Sequence, residues 1–246
     1  MNSEDRFYGS LPMGIVFMFL SAFQGISQTR IFYSLFPGLS ISAPVADNLE
    51  FNLSTFLQYN TIGTEYEGIS FPAAVNYFDV QFGGVYKFNQ HVNFASAWYY
   101  RSTDPGRISA SSEIRFWQQV SFISRINNLK FRNRLRIEQR LISRNDKTDP
   151  LRWRLRYQTG FEIPLQGEKT DIREFYLTLT NEAYFNLNKP RSSLYGENWI
   201  SALTGYRISE KFRLEAGPAW QTQIRNTEGE KNSFFHFQAN FVFQAN

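Results

Sequence analysis

The chain has 246 residues, a formal net charge of +4 and a mean hydropathy of −0.39, with 25 Phe, 13 Tyr and 5 Trp. That length suffices for one large β domain, and the absence of cysteine excludes disulfides, a thiolate nucleophile and cysteine metal ligands. The basic residues alternate with aliphatic ones along extended segments, which argues against the exposed basic face that nucleic-acid binding requires. We therefore expect no nucleic-acid partner.

The N-terminus carries a short apolar run that is typical of an export signal. Residues 11–23 are mostly apolar but too few to span a bilayer as a helix. Gly25 and Ser27 supply the small side chains that precede a cleavage site. The segment before the apolar run has two acidic residues and one arginine, which is atypical, and a buried N-terminal strand or helix is the alternative. The prediction is a signal peptide over residues 1–27 and a β domain over residues 28–246.

From residue 30 onward, apolar and polar side chains alternate in long segments. Side chains point to alternate faces in an extended strand, so each segment predicts a β-strand with one apolar and one polar face. The first segment, 30–46, is interrupted at Pro37 and Gly38, and is interpreted as one bent strand or a small hairpin. The ten clearer strands are predicted, in chain order, at residues 49–59, 77–88, 92–101, 113–122, 129–141, 151–163, 175–187, 199–208, 212–225 and 235–243. Pro218, inside one of them, predicts a bulge.

The clearest alternation lies in the two strands between Leu129 and Ile163, where one parity is apolar and the other is rich in arginine. A helix would scatter these arginines around its circumference, because its period is ~3.6 residues. A typical globular strand has ~5–6 residues, whereas a tilted membrane-spanning strand needs ~9–11. Strands of this length with one apolar face predict a wall between lipid and a polar interior.

The connections alternate in length. Short turns at 47–48, 89–90, 125–128 and 209–211 interleave with longer loops at 60–76, 102–109, 142–150, 188–198 and 226–232, and the connection 164–174 is the exception. Tight turns at one end and long loops at the other are typical of bacterial outer-membrane barrels. The count gives eleven strands, but such barrels are almost always even-numbered. We therefore expect ten or twelve, and favour twelve by dividing the first segment.

A water-soluble β domain, lipocalin-like or a sandwich, is the alternative, because it also alternates with its apolar face inward. The strand lengths, the export signal and the aromatic residues near strand ends favour the membrane barrel. Aromatic girdles belong at those positions.

Charged residues of both signs fall on the face that would line the barrel interior. The predicted lumen charge network consists of Arg115, Lys130, Arg132, Arg134, Arg136, Glu138, Arg140, Arg152, Arg154, Arg156, Glu162, Glu182, Arg213 and Glu215. Glu50, Asp79, Glu113 and Arg225 share that face. One interpretation is an internal salt-bridge core, because unpaired buried charges are costly. The other is an arginine ladder along an anion-preferring pore.

The sequence offers little for catalysis. Its two histidines, His91 and His236, have no serine–acid arrangement visible along the chain, although a spatial neighbour would not be visible there. Asp146 and Asp149 could meet a divalent ion in a loop, but two exposed carboxylates are usually solvated. We expect no enzyme activity, no cofactor and no metal site.

Three stretches carry a resemblance to a known family. The runs 129–141, 153–157 and 175–182 resemble the DUF2490 family of uncharacterised, predicted outer-membrane β-barrels, mostly from Bacteroidota. The likeness covers most of the chain after the signal and is strongest from 110 to 225. It implies the fold and the outer-membrane location of a Gram-negative cell, and it brings no catalytic residues.

The sequence thus predicts an all-β fold, an antiparallel transmembrane β-barrel of 10–12 strands with a polar, arginine-rich lumen. The leading hypothesis for its function is a structural or accessory component of the cell envelope, in contact with lipid and with other envelope proteins. A narrow channel for small anionic solutes is the alternative, and an outer-membrane lipid hydrolase is a third hypothesis.

Overall fold

The computed structural model describes residues 29–106, 110–144, 147–188, 193–226 and 230–245. The predicted signal peptide, and Asp146, lie outside the described residues. Within these ranges, no helix is long and apolar enough to cross a membrane.

Fourteen strands account for the regular structure of the described ranges. In chain order they are β1 (Thr29–Ala46), β2 (Leu49–Asn60), β3 (Thr64–Tyr66), β4 (Ile69–Phe71), β5 (Ala74–Lys87), β6 (Val92–Thr103), β7 (Ser111–Ile126), β8 (Leu129–Arg144), β9 (Lys147–Thr148), β10 (Arg152–Pro164), β11 (Phe175–Asn186), β12 (Tyr195–Arg207), β13 (Phe212–Ile224) and β14 (Lys231–Gln244). All except the short strands β3, β4 and β9 form one closed barrel of eleven strands.

The barrel closes where its first and last strands meet in parallel. β1 pairs with β14 from Thr29↔Lys231 to Ser42↔Gln244, whereas the other neighbouring barrel strands pair antiparallel. An odd number of strands in an up-and-down order leaves the first and last running in the same direction. The preference for twelve strands is therefore wrong, the direct count of eleven is right, and the sheet is mixed rather than purely antiparallel.

Two prolines interrupt pairing without ending their strands. At Pro37, β1 stops pairing with β2 and resumes in the same register at Gly38↔Phe56, while its pairing with β14 continues. β1 is thus one strand and not a hairpin. At Pro218, β13 skips pairs with β12 without a register shift, so the predicted bulge is wrong. A proline removes one ladder hydrogen bond, and the neighbour on the other side holds the strand in place.

The apolar face of the strands lies on the outer surface. Leu135 is 43% exposed, whereas the next residue along β8, Arg136, is only 7% exposed. Long charged side chains on neighbouring strands, such as Glu138 and Arg154, are almost fully buried and hydrogen-bond to each other on one face of the sheet, so these buried charges point into the barrel. Leu53, Phe82, Trp98 and Phe116 lie side by side in register on four neighbouring strands. An apolar outer surface of this kind is compatible with an outer-membrane protein.

The two ends of the barrel differ. The end that carries the longer connections, which we call the loop end, also holds the start of β1; the other, the turn end, holds the end of β14. The predicted loop 60–76 contains the β3–β4 hairpin, whose Tyr66 hydroxyl lies 2.6 Å from the Ile31 nitrogen and 2.9 Å from its oxygen. The ring of Phe32 contacts Tyr66 and Phe71. The hairpin therefore lies against the inner face of β1 at the loop end.

Candidate functional site

Glu138 is the centre of a buried charge network inside the barrel. Its exposed fraction is 0%, and it accepts hydrogen bonds from two arginines of the neighbouring strand β10. Arg154 Nε and Nη2 lie 2.7 and 2.6 Å from its Oε2, and Arg156 Nη1 lies 2.8 Å from its Oε1. The β8–β10 register places Arg154 opposite Glu138 and Arg156 opposite Arg136, so residues of one parity on both strands meet inside.

Glu182 on β11 continues the network around the wall. Arg156 donates to it from Nε and Nη2 at 3.0 and 2.7 Å, and Arg134 donates from Nη2 at 2.6 Å. The hydroxyl of Tyr184 donates to the same carboxylate at 3.0 Å. Arg156 thus bridges Glu138 and Glu182, and three neighbouring strands are joined by charge-assisted hydrogen bonds, which are the stronger kind.

Glu113 on β7 holds a second group of charges. Arg115 donates to it from Nε and Nη2 at 2.6 and 2.9 Å, and Arg140 of β8 pairs with the same carboxylate. The guanidinium of Arg115 also lies 4.1 Å from the centre of the Tyr99 ring. Stacking on an aromatic face adds a cation–π attraction to the ion pair.

Asp79 on β5 anchors the third group. It accepts hydrogen bonds from the Tyr99 hydroxyl at 2.7 Å and from Arg101 Nη2 at 2.8 Å. Arg101 lies over the Tyr77 ring, 3.6 Å from its centre. Tyr99 contacts both Asp79 and Arg115, so this group joins the previous one.

A hydrogen-bonded chain carries the network to the opposite wall. Arg154 Nη1 lies 3.7 Å from Glu197 on β12, and Gln221 Nε2 donates to Glu197 at 2.7 Å. Gln221 Oε1 lies 3.0 Å from His236 Nε2, and His236 Nδ1 lies 2.6 Å from Ser34 Oγ. The carboxylate can only accept, so the amide oxygen of Gln221 faces the ring and His236 Nε2 donates to it. Nδ1 then accepts a hydrogen bond from the Ser34 hydroxyl.

A serine hydroxyl hydrogen-bonded to a histidine is the arrangement of a nucleophile and its base. Here aromatic rings surround the pair. Trp199 stacks on the imidazole of His236 at 5.0 Å between ring centres, and Phe36 and Phe234 lie at 5.4 and 5.9 Å. Ser34 and His236 are both buried. The contact between them joins β1 to β14 across the parallel seam. His91, at a turn, is exposed and lies 3.1 Å from the Ile123 carbonyl oxygen.

Eight of the fourteen predicted lumen residues belong to the buried groups just described. They are Arg115, Arg134, Arg136, Glu138, Arg140, Arg154, Arg156 and Glu182. Together with Arg101, Asp79, Glu113 and Glu197, they form what we call the central network. Arg101 and Glu197 were not predicted. Arg101 shares the parity of buried Tyr99, which could have identified it, whereas Glu197 fell in a predicted loop although β12 already begins at Tyr195.

The other six predicted residues lie apart from the central network. Lys130 pairs with Glu162 at 3.3 Å, and Arg152 pairs with Asp149 at 2.8 Å. Glu215 accepts a hydrogen bond from the Tyr176 hydroxyl at 2.8 Å. In the described part of the chain, Arg132 and Arg213 make no ion pair. The predicted set is thus divided between a buried centre and more peripheral contacts.

The central network surrounds a cavity of about 270 Å³ in the loop-side half of the barrel. One wall is basic, with Arg101, Arg115, Arg134, Arg136, Arg154 and Arg156, and the acidic groups on the lining are Asp79, Glu182 and Glu197. The rings of Phe36, Phe56, Tyr77 and Trp199, on β1, β2, β5 and β12, also line the cavity, and Arg101 stacks on one of them, Tyr77. The glycine at position 38 makes room for one of them, because a Cβ there would overlap the Phe56 ring. The cavity therefore combines a cationic side with an aromatic side.

A second cavity, of about 320 Å³, lies at the turn end. The long connection 164–174 borders it, and the Thr170 carbonyl oxygen accepts a hydrogen bond of 3.0 Å from Arg207. Its charged lining residues are Arg125, Lys130, Glu162, Lys169, Asp171, Arg207, Glu210 and Arg213. Both signs are mixed there, and no aromatic wall faces them apart from Tyr176.

The described residues contain no group of three or more acidic or histidine side chains that could hold a metal ion. Asp149 is engaged by Arg152, and Asp146 lies outside the described ranges. The structure therefore describes only one of the two loop carboxylates that the sequence suggested for a metal ion.

Comparison with known proteins gives one match. The model of a family described as a protein of unknown function, DUF2490, matches residues 25–232. No curated protein and no solved structure matches the chain.

Proposed function

The chain belongs to the DUF2490 family of proteins of unknown function, and from that premise we propose that it is an outer-membrane β-barrel that acts as a closed, accessory component of the cell envelope. The observation that carries the proposal is the central network, which crosses the interior while the outer surface is apolar. The proposal has two parts, the membrane and the closed interior.

The composition of the outer surface supports a location in the membrane. Aliphatic and aromatic side chains such as Leu53, Phe82 and Trp98 are exposed on strands of 12 residues or more. Large contiguous apolar surfaces are rare on soluble monomers and mark contact with lipid or protein. In outer-membrane barrels the short turns face the periplasm, so the short turns at one end and the longer loops at the other support a periplasmic turn end.

The interior supports the closed state. The carboxylates of Glu138 and Glu182 are each held by two arginines, and Arg156 is shared between them. These groups are buried, so opening a water-filled path would separate paired charges. A barrel of ~8 strands is just filled by its own side chains, and here long arginine side chains extend that filling to eleven strands.

The purified chain is expected to give no steady single-channel current in a planar lipid bilayer. Its interior is crossed by ion pairs, so neither cations nor anions find a continuous aqueous path. A general porin in the same lipid is the positive control. A steady, anion-selective current would replace the closed barrel by the second candidate, and a cation-selective current would contradict both.

That second candidate is a narrow channel for small anionic solutes. The observation in its favour is the composition of the central network, in which seven arginines outnumber five carboxylates. Rings of basic side chains select anions in pores.

We propose no catalytic role for Ser34 and His236, and we expect an alkyl fluorophosphonate to leave the folded chain unlabelled. The reason is burial: the serine hydroxyl lies behind Phe36, Trp199 and Phe234 and does not border either cavity. Mass spectrometry of the treated protein checks this, with the denatured and refolded chain as control. Labelling at Ser34, together with phospholipid hydrolysis that is lost in His236→Ala, would establish the hydrolase hypothesis instead.

As an accessory barrel, the chain would act through another envelope protein. Purification after gentle solubilisation would identify that partner.

A further inference from the structure

Arg136 is the exception in the central network, because it is buried without a close carboxylate. Its nearest acidic atom is Glu138 Oε1, at 3.9 Å, and that oxygen already accepts from Arg156 at 2.8 Å. The Nε and Nη2 groups of Arg136 donate to the neutral Gln119 oxygen at 3.0 and 2.7 Å. The guanidinium lies over the Trp117 ring, 3.8 Å from its centre. A buried charge held only by an amide and an indole is incompletely neutralised.

The neighbouring Arg134 has an unused donor. Its Nη2 reaches Glu182, but its Nε is buried and has no hydrogen-bond partner. Native proteins leave few buried donors unpaired, and each exception asks for an explanation, such as a missing ligand. Both arginines line the cavity of about 270 Å³, so the incompletely neutralised guanidinium of Arg136 and the Arg134 side chain with its unpaired donor both adjoin the space.

The charges of the central network do not balance internally. Its arginines are at positions 101, 115, 134, 136, 140, 154 and 156, and its carboxylates at 79, 113, 138, 182 and 197. Two positive charges are therefore in excess around a cavity inside the barrel wall, where unpaired charges are expensive. A bound anion in the cavity would supply the missing negative charge.

The aromatic rings that line the cavity indicate what kind of anion fits. Phe36 and Phe56 stack with ring centres 5.6 Å apart, and Phe36 also contacts Tyr77 and Trp199 at 6.1 and 5.6 Å. An inorganic ion would use the arginines but leave the partly exposed rings of Phe56 and Trp199 uncovered. Small-molecule pockets typically measure ~300–1,000 Å³ and combine apolar walls with a few placed polar groups. At about 270 Å³, this cavity suits a molecule built on one ring.

We propose that the central cavity is a binding site for a small organic anion, a carboxylate or phosphate carried on an aromatic or apolar body. The anionic group binds Arg136 and Arg134, and the apolar body lies against Phe36, Phe56 and Trp199. This inference goes beyond the proposed function and does not depend on it, because the site is inside the barrel whatever surrounds the outer face.

Isothermal titration of the full chain in detergent tests the site with three probes. Phenyl phosphate has both required parts, inorganic phosphate has only the charge, and benzyl alcohol has only the ring. We expect phenyl phosphate to bind about tenfold or more tightly than either partial probe, since charge-assisted hydrogen bonds and ring burial both contribute to its binding. Equal binding of inorganic phosphate would overturn the proposal in favour of a counter-ion site, and no binding of phenyl phosphate would end it.

Variants locate the binding. Arg136→Gln is expected to weaken phenyl phosphate about tenfold or more, because it removes the charge that lacks a partner. Arg132→Gln, on the same strand and parity but away from this cavity, is the matched control and should leave the affinity unchanged. Phe56→Ala should weaken phenyl phosphate and leave inorganic phosphate unaffected. Equal loss in the variants of Arg136 and Arg132 would move the site elsewhere.

The three-probe comparison uses the unsubstituted chain, so it stands even where a variant fails to fold. Its result is also independent of the conductance measurement. A barrel that conducts but binds phenyl phosphate would refute the closed barrel alone, and a silent barrel that binds nothing would refute the cavity site alone.

Discussion

Glu138→Gln is expected to lower the free energy of unfolding by about 3–5 kcal/mol, the cost of removing one partner from a buried ion pair. The substitution keeps the shape of the side chain, so no cavity is created. It leaves Arg154 and Arg156, which both donate to this carboxylate, with a neutral acceptor in a buried place. Urea unfolding of the refolded protein, followed by tryptophan fluorescence, measures the change.

Glu162→Gln is the matched control for that measurement. Glu162 pairs with Lys130 at 3.3 Å, and both side chains keep part of their surface exposed. Ion pairs of this kind contribute roughly 0–1 kcal/mol, so the control should unfold near the midpoint of the unsubstituted chain. Equal losses from the two variants would show that burial of the central network does not govern the stability of the barrel.

Phe82→Arg is expected to destabilise the barrel in lipid vesicles by about 2–4 kcal/mol, the depth-dependent cost of an arginine on the lipid face near the bilayer midplane. Phe82 is exposed in the middle of β5, in register with Leu53 and Trp98 on its neighbours. The introduced arginine side chain would have to be hydrated inside the hydrocarbon core of the bilayer. Unfolding titrations of vesicle-inserted protein check the prediction.

Phe88→Arg gives the comparison at another depth. Phe88 follows the last residue of β5 at the turn end and is also exposed. Near the interface the cost of an arginine falls to about 0–1 kcal/mol. A soluble β domain would tolerate both substitutions alike, so two small and equal effects would contradict the membrane proposal.

Much of the wall could be predicted from sequence because alternation is a local property of an extended backbone. Leu135 and Arg136 are neighbours in sequence, so the alternation predicted that they lie on opposite faces, one apolar and one charged. In the structure Leu135 is exposed and Arg136 is buried. The strands from 129 to 163 lie close to their predicted bounds for the same reason. The start of β12 was missed because the first residues of a strand can be as polar as a loop, and Glu197 and Asn198 have the composition of loop residues.

The closure and the partners inside the barrel depended on the tertiary structure. Whether ten, eleven or twelve strands close, and that β1 and β14 run parallel, follows from how the wall meets itself and not from any single strand. The contact of Ser34 with His236 joins residues 202 positions apart in the chain, and the sequence around either residue does not predict it. Within the strands that were found, the sequence by itself determined which parity points inward, because each residue's face is set by its neighbours along the strand. Only the register and closure of the barrel decided which carboxylate each arginine contacts, because these partners lie mostly on different strands. The same arrangement leaves Arg136 without a close carboxylate.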